Sequence, residues 1–408
     1  MASAAARAAA RADGRPPRRI LAVTGSRAEY GHLQWVLREI AEAPDLELRL
    51  AATGAHLAAE HGLTAGEMEA DGFSLDARIP LPLPDDGPLA IARAIGAGVA
   101  GFAEVYARLR PDLLLILGDR YEMLAAACAA LPLRLPIAHL HGGETSQGAM
   151  DEAIRHTITK MAHLHFTAAE PYRRRVIQLG EDPARVFNFG APGLDHLTRG
   201  PALLSREAWR ERFGFELGRV NFLVTYHPVT LEADGPQRAV AALLAALDLF
   251  PEARVIFTKA NADAEGRAIN ALLEAYAAQR PGRAALFDSL GPLGYLSALA
   301  LVDAVVGNSS SGIIEAPFFR VPTVNLGDRQ KGRLRAASVI DCPEQAEAIA
   351  AAIRRALSPE FRASLAGMAS PYGQGDAARK IVQVLRSFDL TGILKKEFHD
   401  LPSHGETA

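Results

Sequence analysis

The run Leu113-Leu-Leu-Ile-Leu117 has no polar side chain and stops abruptly on Gly118-Asp119-Arg120. A short apolar run without alternation needs cover on both faces, which is the condition of a strand inside a parallel sheet. A strand signal recurs, with Glu47 and Arg49 inside the second run, at 20–24, 46–53, 135–138, 164–168 and 186–189. It restarts near residue 200, at 222–226, 254–257, Ala284–Phe287, 304–306 and 321–326. Between these runs the apolar residues fall at helical spacing, as Leu33, Val36, Leu37 and Ile40 do. Strand and helix in strict alternation predict α/β architecture: two doubly wound, Rossmann-like domains facing each other across a cleft. The stretch 73–84 is Pro-rich and reads as irregular, leading through Asp85-Asp86 into a helix.

A chain of 408 residues exceeds one ordinary core. The expected division is a tail at 1–19, a first domain at 20–197 and a second at 198–375. A helix at 376–390 and a flexible tail at 391–408 follow. The Ala/Arg/Pro/Gly composition of the first 19 residues cannot bury a core, and it lacks the apolar centre of a secretory signal. A net charge of -3 does not advertise nucleic acid. No apolar run reads as the roughly 18 residues of a membrane span, so no membrane partner is expected. The two cysteines, Cys128 and Cys342, form no C-x-x-C pair, and a reducing cytoplasm fits.

In open α/β sheets ligands bind beyond the carboxyl ends of the strands, so the polar clusters there are the candidates. The densest is His139-Leu-His141-Gly-Gly-Glu144, followed by Asp151 and His156. Imidazoles and carboxylates beside a Gly pair suit proton transfer. Gly25-Ser-Arg27 opens a helix, where free N–H groups and a guanidinium favour phosphate, although a solvated turn charge reads equally well. It is not G-x-G-x-x-G, which disfavours a nicotinamide dinucleotide. Asp119 and Arg120 close the strongest strand; His56 and Asp195 sit at further turns, and a lone His such as His56 is more often structural. In the second half, His227 ends a strand. Gly307-Asn-Ser309-Ser310-Ser-Gly312-Ile-Ile-Glu315 is a small-residue turn that suits a pyrophosphate or a simple N-cap. Arg329 lies in the basic turn that follows. No Asp-x-Asp occurs, so no metal and no cofactor is expected, and turnover is expected to survive a chelator.

Seven motifs in order, Gly25-Ser-Arg-Ala-Glu-Tyr, Leu117-Gly-Asp-Arg, His141-Gly-Gly-Glu, Asp151-Glu-Ala-Ile-Arg-His, Tyr226-His-Pro, Asn308-Ser-Ser-Ser-Gly-Ile-Ile-Glu and Asn325-Leu-Gly-Asp-Arg-Gln, make the chain resemble the hydrolysing UDP-N-acetylglucosamine 2-epimerases of sialic- and legionaminic-acid pathways. The resemblance spans about residues 20 to 385. It implies the glycosyltransferase type B fold, with the C-terminal helix returning to the first domain, and a homodimer. It implies a UDP-sugar and water as reactants, converted to N-acetylmannosamine and UDP through a glycal. A 2,4-diacetamido-2,4,6-trideoxy sugar nucleotide, linked to UDP or GDP, is the alternative substrate. By the same resemblance Asp119 and Asp151 match acidic catalytic positions, and His227 matches a residue near the diphosphate. The chain departs from the pattern at one position: the second residue after the histidine matching His139 is typically glutamate in the sialic-acid enzymes and is His141 here, so either His141 takes over the proton transfer, or Glu144 does, or the substrate differs. Asp119, His141, Glu144, Asp151 and His227 are the expected catalytic set. Arg27, Arg120, Ser309, Ser310, Glu315 and Arg329 match nucleotide contacts, with Gly312 expected beside them; from their places in the polar strand-end and turn clusters, His56, His139, His156 and Asp195 are expected to contact the sugar. A non-hydrolysing epimerase, a glycosyltransferase and a sugar-nucleotide sensor are the competing readings. The first is separated by whether free UDP accumulates, the second by its need for an acceptor, and the third by the presence of both aspartates.

Overall fold

In a computed structural model, residues 14, 16–57, 64–82, 87–146, 150–228, 236–260 and 264–401 are described. They form two compact units: one built from the N-terminal part to Thr198 together with Tyr372 onward, the other from Arg199–Pro371.

The first unit holds β1 (Arg18–Thr24), β2 (Leu46–Thr53), β3 (Ala77–Ile79), β4 (Leu113–Leu117), β5 (Ile137–Leu140), β6 (Leu164–Thr167) and β7 (Val186–Asn188). All pair in parallel, in the order β3-β2-β1-β4-β5-β6-β7. Its helices are α1 (Arg27–Glu42), α2 (Ala65–Ala70), α3 (Pro88–Leu109), α4 (Tyr121–Ala130), α5 (Met150–Met161), α6 (Glu170–Gln178) and α7 (Asp195–Arg199). The apolar runs become the fully buried central strands because both faces are covered: Leu113 and Leu115 belong to the core under α1, and Leu114 and Ile116 to the core under α3 and α4.

The second unit repeats the scheme. It has α8 (Arg206–Phe213), β8 (Val220–Thr225), α9 (Pro236–Asp248), β9 (Ala253–Thr258), α10 (Ala264–Ala278), β10 (Ala284–Phe287), α11 (Gly291–Leu301), β11 (Ala304–Gly307), α12 (Ser311–Ile314), β12 (Thr323–Leu326), β13 (Val339–Cys342), α13 (Ala346–Leu357) and α14 (Pro359–Ser364). The strand order is β10-β9-β8-β11-β12-β13, again parallel. The chain then closes on the first unit with α15 (Ala377–Ser387), whose Ile381, Val382 and Leu385 join the core there.

In both sheets the strand order reverses once, between β1 and β4 and between β8 and β11. A crevice opens at such a reversal because the connections leave in opposite directions. The loops 25–27 and 118–120 flank the first reversal, and 226–228 and 308–311 flank the second.

Several expectations are corrected. The strand begins at Arg18, not beyond a tail ending at 19: the Arg18 guanidinium is buried and donates to the carbonyls of Leu385 and Phe388, the latter at 2.8 Å. Those are open carbonyls at the end of α15, which a cation stabilises. The expected flexible tail from 391 is ordered as far as Leu401. Ile393 is buried, and the Lys396 ammonium donates to Lys160 O (2.9 Å) and Ala162 O (2.6 Å) and pairs with Glu181 at 2.6 Å. Residues 402–408, 1–13 and 15, and the Asp85-Asp86 turn, lie outside the described residues. The segment 73–84 contains edge strand β3, and β13 was not expected; both are short edges with little apolar signal. Among the described residues one helix, α3, is long and apolar enough to cross a membrane by length and composition, contrary to the reading that no such run exists. Its Ala90, Ala94, Gly98, Phe102, Val105 and Tyr106 are buried within the unit.

Candidate active site

Strand β5 extends two residues beyond the apolar run, through His139 and Leu140, because His139 stays in register between Ile116 of β4 and His165 of β6. The chain then breaks at His141, which takes φ +63°. A side chain in this left-handed region costs of order 1–3 kcal/mol and persists only where neighbours fix it. Here the His141 N–H donates to Phe166 O at 2.9 Å, and its Nδ1 lies 2.5 Å from Glu144 Oε1. Both side chains are buried. Gly143 follows at φ +79°, with the Tyr172 carbonyl where a Cβ would stand, so only glycine fits the turn that delivers Glu144. Nε2 of His141 is buried without a hydrogen-bond partner among the described residues. Its ring packs against His32 of α1, centroids 5.6 Å apart.

Arg155 of α5 joins the acids of this region. It is fully buried and donates to Glu144 O (2.9 Å), Glu152 Oε2 (2.9 Å), Ser146 Oγ (2.7 Å) and Asp119 Oδ2. Asp119 is thereby oriented from β4 toward α5. Asp151, one turn before Arg155, has its carboxyl pushed up by burial and then by the negative charge of Asp119. A carboxyl group whose pKa is raised by burial is suited to holding and passing a proton. Burial also pushes Glu152 up, yet the Ser146 N–H, His156 and Arg155 leave it below the usual range. His156 contributes Nε2 to Glu152 at 3.1 Å.

Beside the β1–β4 reversal, Arg120 forks onto the fully buried Glu122, its closest contact 2.9 Å. Glu29 accepts the Gly25 N–H at 2.6 Å, and burial pushes its carboxyl up to about 8 against the pull of Arg120. Arg27 opens α1 with its side chain largely exposed, 3.8 Å from Glu67.

In the second unit Gly307 has φ +140°, and a Cβ there would strike the Thr225 carbonyl. Glycine therefore lets the ends of β11 and β8 touch. Asn308, fully buried, then staples His227: Oδ1 accepts its N–H at 2.7 Å and Nδ2 donates to its carbonyl at 2.8 Å. The Asn308 carbonyl accepts from Arg329 (3.1 Å) and Gln330 (2.9 Å). Ser309 and Ser310 lie partly exposed beside this staple, and Ser309 Oγ accepts the Ser311 N–H at 3.3 Å. Glu315 closes α12, half-buried. Hydroxyls, an imidazole and a guanidinium gathered at one strand reversal are donors of the kind an anion needs.

Four residues expected to contact the ligand are engaged in internal hydrogen bonds or packing. His139 is fully buried, with Nε2 bonded to Gly118 O (2.8 Å) and Nδ1 near Thr159 Oγ1 (3.3 Å); burial pulls its pKa down to about 3. It supports the Gly118 turn and so the position of Asp119. His56 is likewise buried between Thr24 (3.0 Å) and Thr64 (2.7 Å), its pKa lowered by burial to about 4. Asp195 is fully buried and caps α15, accepting the N–H groups of Ala377 and Ala378 at 3.0 Å each. Gly312 is a packing position: a Cβ would meet Thr323 Cγ2 at 2.6 Å. Conversely, Arg155, Glu152 and Asn308 were not singled out. The signal for Arg155 was its helical spacing from Asp151 and Glu152, which places it on their face. Among the described residues no group of three His, Cys, Asp or Glu side chains has the arrangement to hold a metal ion.

A family model described as UDP-N-acetylglucosamine 2-epimerase matches residues 38–386. A GDP/UDP-N,N'-diacetylbacillosamine 2-epimerase (hydrolyzing) of Campylobacter jejuni is 40% identical over 94% of this chain and 99% of its own length. A UDP-N,N'-diacetylbacillosamine 2-epimerase (hydrolyzing) of Legionella pneumophila is 38% identical over 91% of this chain and 97% of its own. The crystal structure of UDP-GlcNAc 2-epimerase from Neisseria meningitidis bound to UDP-GlcNAc superimposes with a TM-score of 0.79 at 18% identity, covering 90% of this chain and 99% of that one. At that identity the likeness concerns the fold, which is of the glycosyltransferase type B class. With the family model spanning most of the chain and two relatives matching nearly end to end, this chain belongs to the UDP-N-acetylglucosamine 2-epimerase family.

Proposed function

We propose that the protein is a hydrolysing sugar-nucleotide 2-epimerase whose substrate is a UDP- or GDP-linked 2,4-diacetamido-2,4,6-trideoxy sugar, of the N,N'-diacetylbacillosamine type. The observation that carries the choice of sugar is the naming of both relatives above for that substrate at 40% and 38% identity. UDP-N-acetylglucosamine, the first expectation from the sequence, is the competing substrate.

The reaction divides into two steps. A base removes the C2 proton while the C1–O bond breaks and the nucleoside diphosphate departs with that electron pair, leaving a glycal. Water then adds its oxygen at C1, and a proton returns to C2 from the opposite face. Both steps move protons, and the carboxyl groups of Asp151, raised by burial, and Asp119, held by Arg155, are assigned to them. The Glu144–His141 pair adds a second proton route that ends in a buried, unpartnered Nε2, the atom free to meet a substrate oxygen. Arg155 orients Asp119 through a side-chain bond and Glu144 through its backbone carbonyl, and so fixes their spacing. Departing diphosphate needs fixed donors that cost no reorganisation. His227, Ser309, Ser310 and Arg329, anchored around Asn308, fill that role, and Glu315 takes the ribose hydroxyls.

The test is turnover in deuterated water followed by NMR, on both nucleotide sugars. The expected result is free 2,4-diacetamido-2,4,6-trideoxy sugar, inverted and deuterated at C2, with one equivalent of released nucleoside diphosphate. Equal or faster release of N-acetylmannosamine from UDP-N-acetylglucosamine would overturn the choice of sugar. Epimerised sugar still attached to its nucleotide would overturn hydrolysis.

A further inference from the structure

Helix α6 grips the turn that presents Glu144. Tyr172, Arg175 and Val176 stand at i, i+3 and i+4, so they share one face of the helix. That face meets Gly143. A Cβ at Gly143 would lie 2.3 Å from the Tyr172 carbonyl oxygen and 3.0 Å from Val176 Cγ2. The Arg175 guanidinium donates to the Gly143 carbonyl and sits over the Tyr172 ring, 5.9 Å from its centroid. The turn needs such a grip. His141 and Gly143 take φ +63° and +79°, and a left-handed residue with a side chain persists only where its surroundings impose it.

Helix α6 is in turn held by a pair of phenols. The hydroxyls of Tyr172 and Tyr372 are 3.0 Å apart, across 200 residues of sequence, and both side chains are buried. Tyr372 is itself pinned through its backbone. Its carbonyl accepts the Ala191 N–H at 2.7 Å. A Cβ at Gly190 would stand 2.6 Å from that carbonyl oxygen and 3.0 Å from Gly373 Cα, so the two backbones touch. Phenylalanine would fill the same space at either position. A buried hydroxyl costs free energy unless it is bonded, so the pair specifies where each ring lies and not merely that it is buried.

We propose that Tyr172 and Tyr372 are positioning residues for the turn 141–144. Their hydroxyl pair fixes α6, and the Tyr172 carbonyl and Arg175 then set the approach of Glu144 to His141 Nδ1, 2.5 Å in the assembled turn. This role rests on the assignment of His141 and Glu144 to proton transfer above. The donors assigned to the diphosphate belong to the other compact unit, so loss of the pair should act on kcat and spare KM.

The experiment compares the full chain with Tyr172→Phe, Tyr372→Phe and the double variant, with circular dichroism to confirm folding. Steady-state kinetics are measured on both nucleotide sugars, and hydrogen exchange is followed by mass spectrometry. Each single change is expected to lower kcat about tenfold, the size of effect one buried hydrogen bond has, with KM within about twofold. Exchange across 141–146 should accelerate about tenfold while 113–117 is unchanged. The double variant should fall within about twofold of either single, because both singles break the same bond. Unchanged exchange at 141–146 would overturn the proposal, as would faster exchange with kcat within about twofold of the parent, or a rise in KM alone. So would losses that multiply in the double variant, which mark two independent packing roles. A parent without turnover on either sugar would overturn the reaction assigned above instead, and the exchange of 141–146 would still decide whether the phenol pair holds the turn.

Discussion

Replacement of Asp195 separates two roles that look alike in the sequence. As a sugar ligand its loss would damage turnover; as the cap of α15 its loss would damage the fold locally. The carboxylate is fully buried and accepts two backbone N–H groups at 3.0 Å each. A hydrogen bond to a charged group contributes about 1.5–3 kcal/mol, and an abandoned buried donor costs about 1–3 kcal/mol. Asp195→Ala removes both acceptors, and the two effects together put its cost at about 3–5 kcal/mol. Asp195→Asn keeps one acceptor and turns an amide N–H toward the other donor, for about 2 kcal/mol. Hydrogen exchange of the α15 amides reads this directly, since about 1.4 kcal/mol corresponds to a tenfold change in opening. Exchange in 377–387 should accelerate by about a hundredfold or more in the alanine variant and by about tenfold or more in the asparagine variant. Turnover per folded molecule should stay within about threefold in Asp195→Asn. Unchanged protection of α15 together with a hundredfold or larger loss of kcat/KM (about 2.7 kcal/mol) would refute the capping assignment and restore Asp195 to the substrate site.

Arg155→Lys keeps the charge but loses the planar fork that reaches Glu144, Ser146, Glu152 and Asp119 together; kcat should fall by about a hundredfold with KM little changed, and steady-state kinetics within about threefold of the parent would contradict the positioning role. The folded-state pKa values of His56, His139 and His163 are lowered by burial to about 4, about 3 and about 4. Unfolded, each takes a proton near pH 6.5, so the unfolded chain binds more protons below that value. The neutral rings' contribution to stability is therefore present above about pH 6.5 and is lost as pH falls toward 4. Denaturant midpoints measured across that range should drop steadily, and a flat profile would show that these rings do not titrate on unfolding.

Much of the fold was legible because the central strands are covered on both faces, which forces uncharged runs such as 113–117 and makes them unmistakable. The edges obey no such demand. In β3, Ala77-Arg-Ile79 pairs on one side only and needs no apolar signature; β13, Val339-Ile-Asp-Cys342, is the same case. The N-terminal boundary slipped for a related reason: an arginine reads as tail, yet Arg18 is buried because distant carbonyls at 385 and 388 receive its charge. No local signal announces a partner 367 residues away.

The site was legible to a different degree, and the reason lies in what polarity at a strand end means. Such a residue either faces the ligand or holds the loop that does, and the same residue types do both. His139 and His141 are two positions apart in one motif, yet one is locked inside the sheet with both ring nitrogens engaged while the other leaves at φ +63° with Nε2 unpartnered. Alternation along a strand sends neighbours to opposite faces, but these two differ because the strand ends between them. For these two histidines the engagement of the ring nitrogens, not the residue type, marks the difference. Asn308 and Arg155 make the point from the other side. Each is buried, each spends its donors on backbone and neighbouring side chains, and each sets the geometry of residues that the sequence marked first. The polar motif at a strand reversal is therefore best read as two nested sets. The inner set, Asn308, Arg155, His139 and Asp195, satisfies the fold. The outer set, Asp119, His141, Glu144 and Asp151 in the first unit and His227 in the second, is the set proposed above for the chemistry.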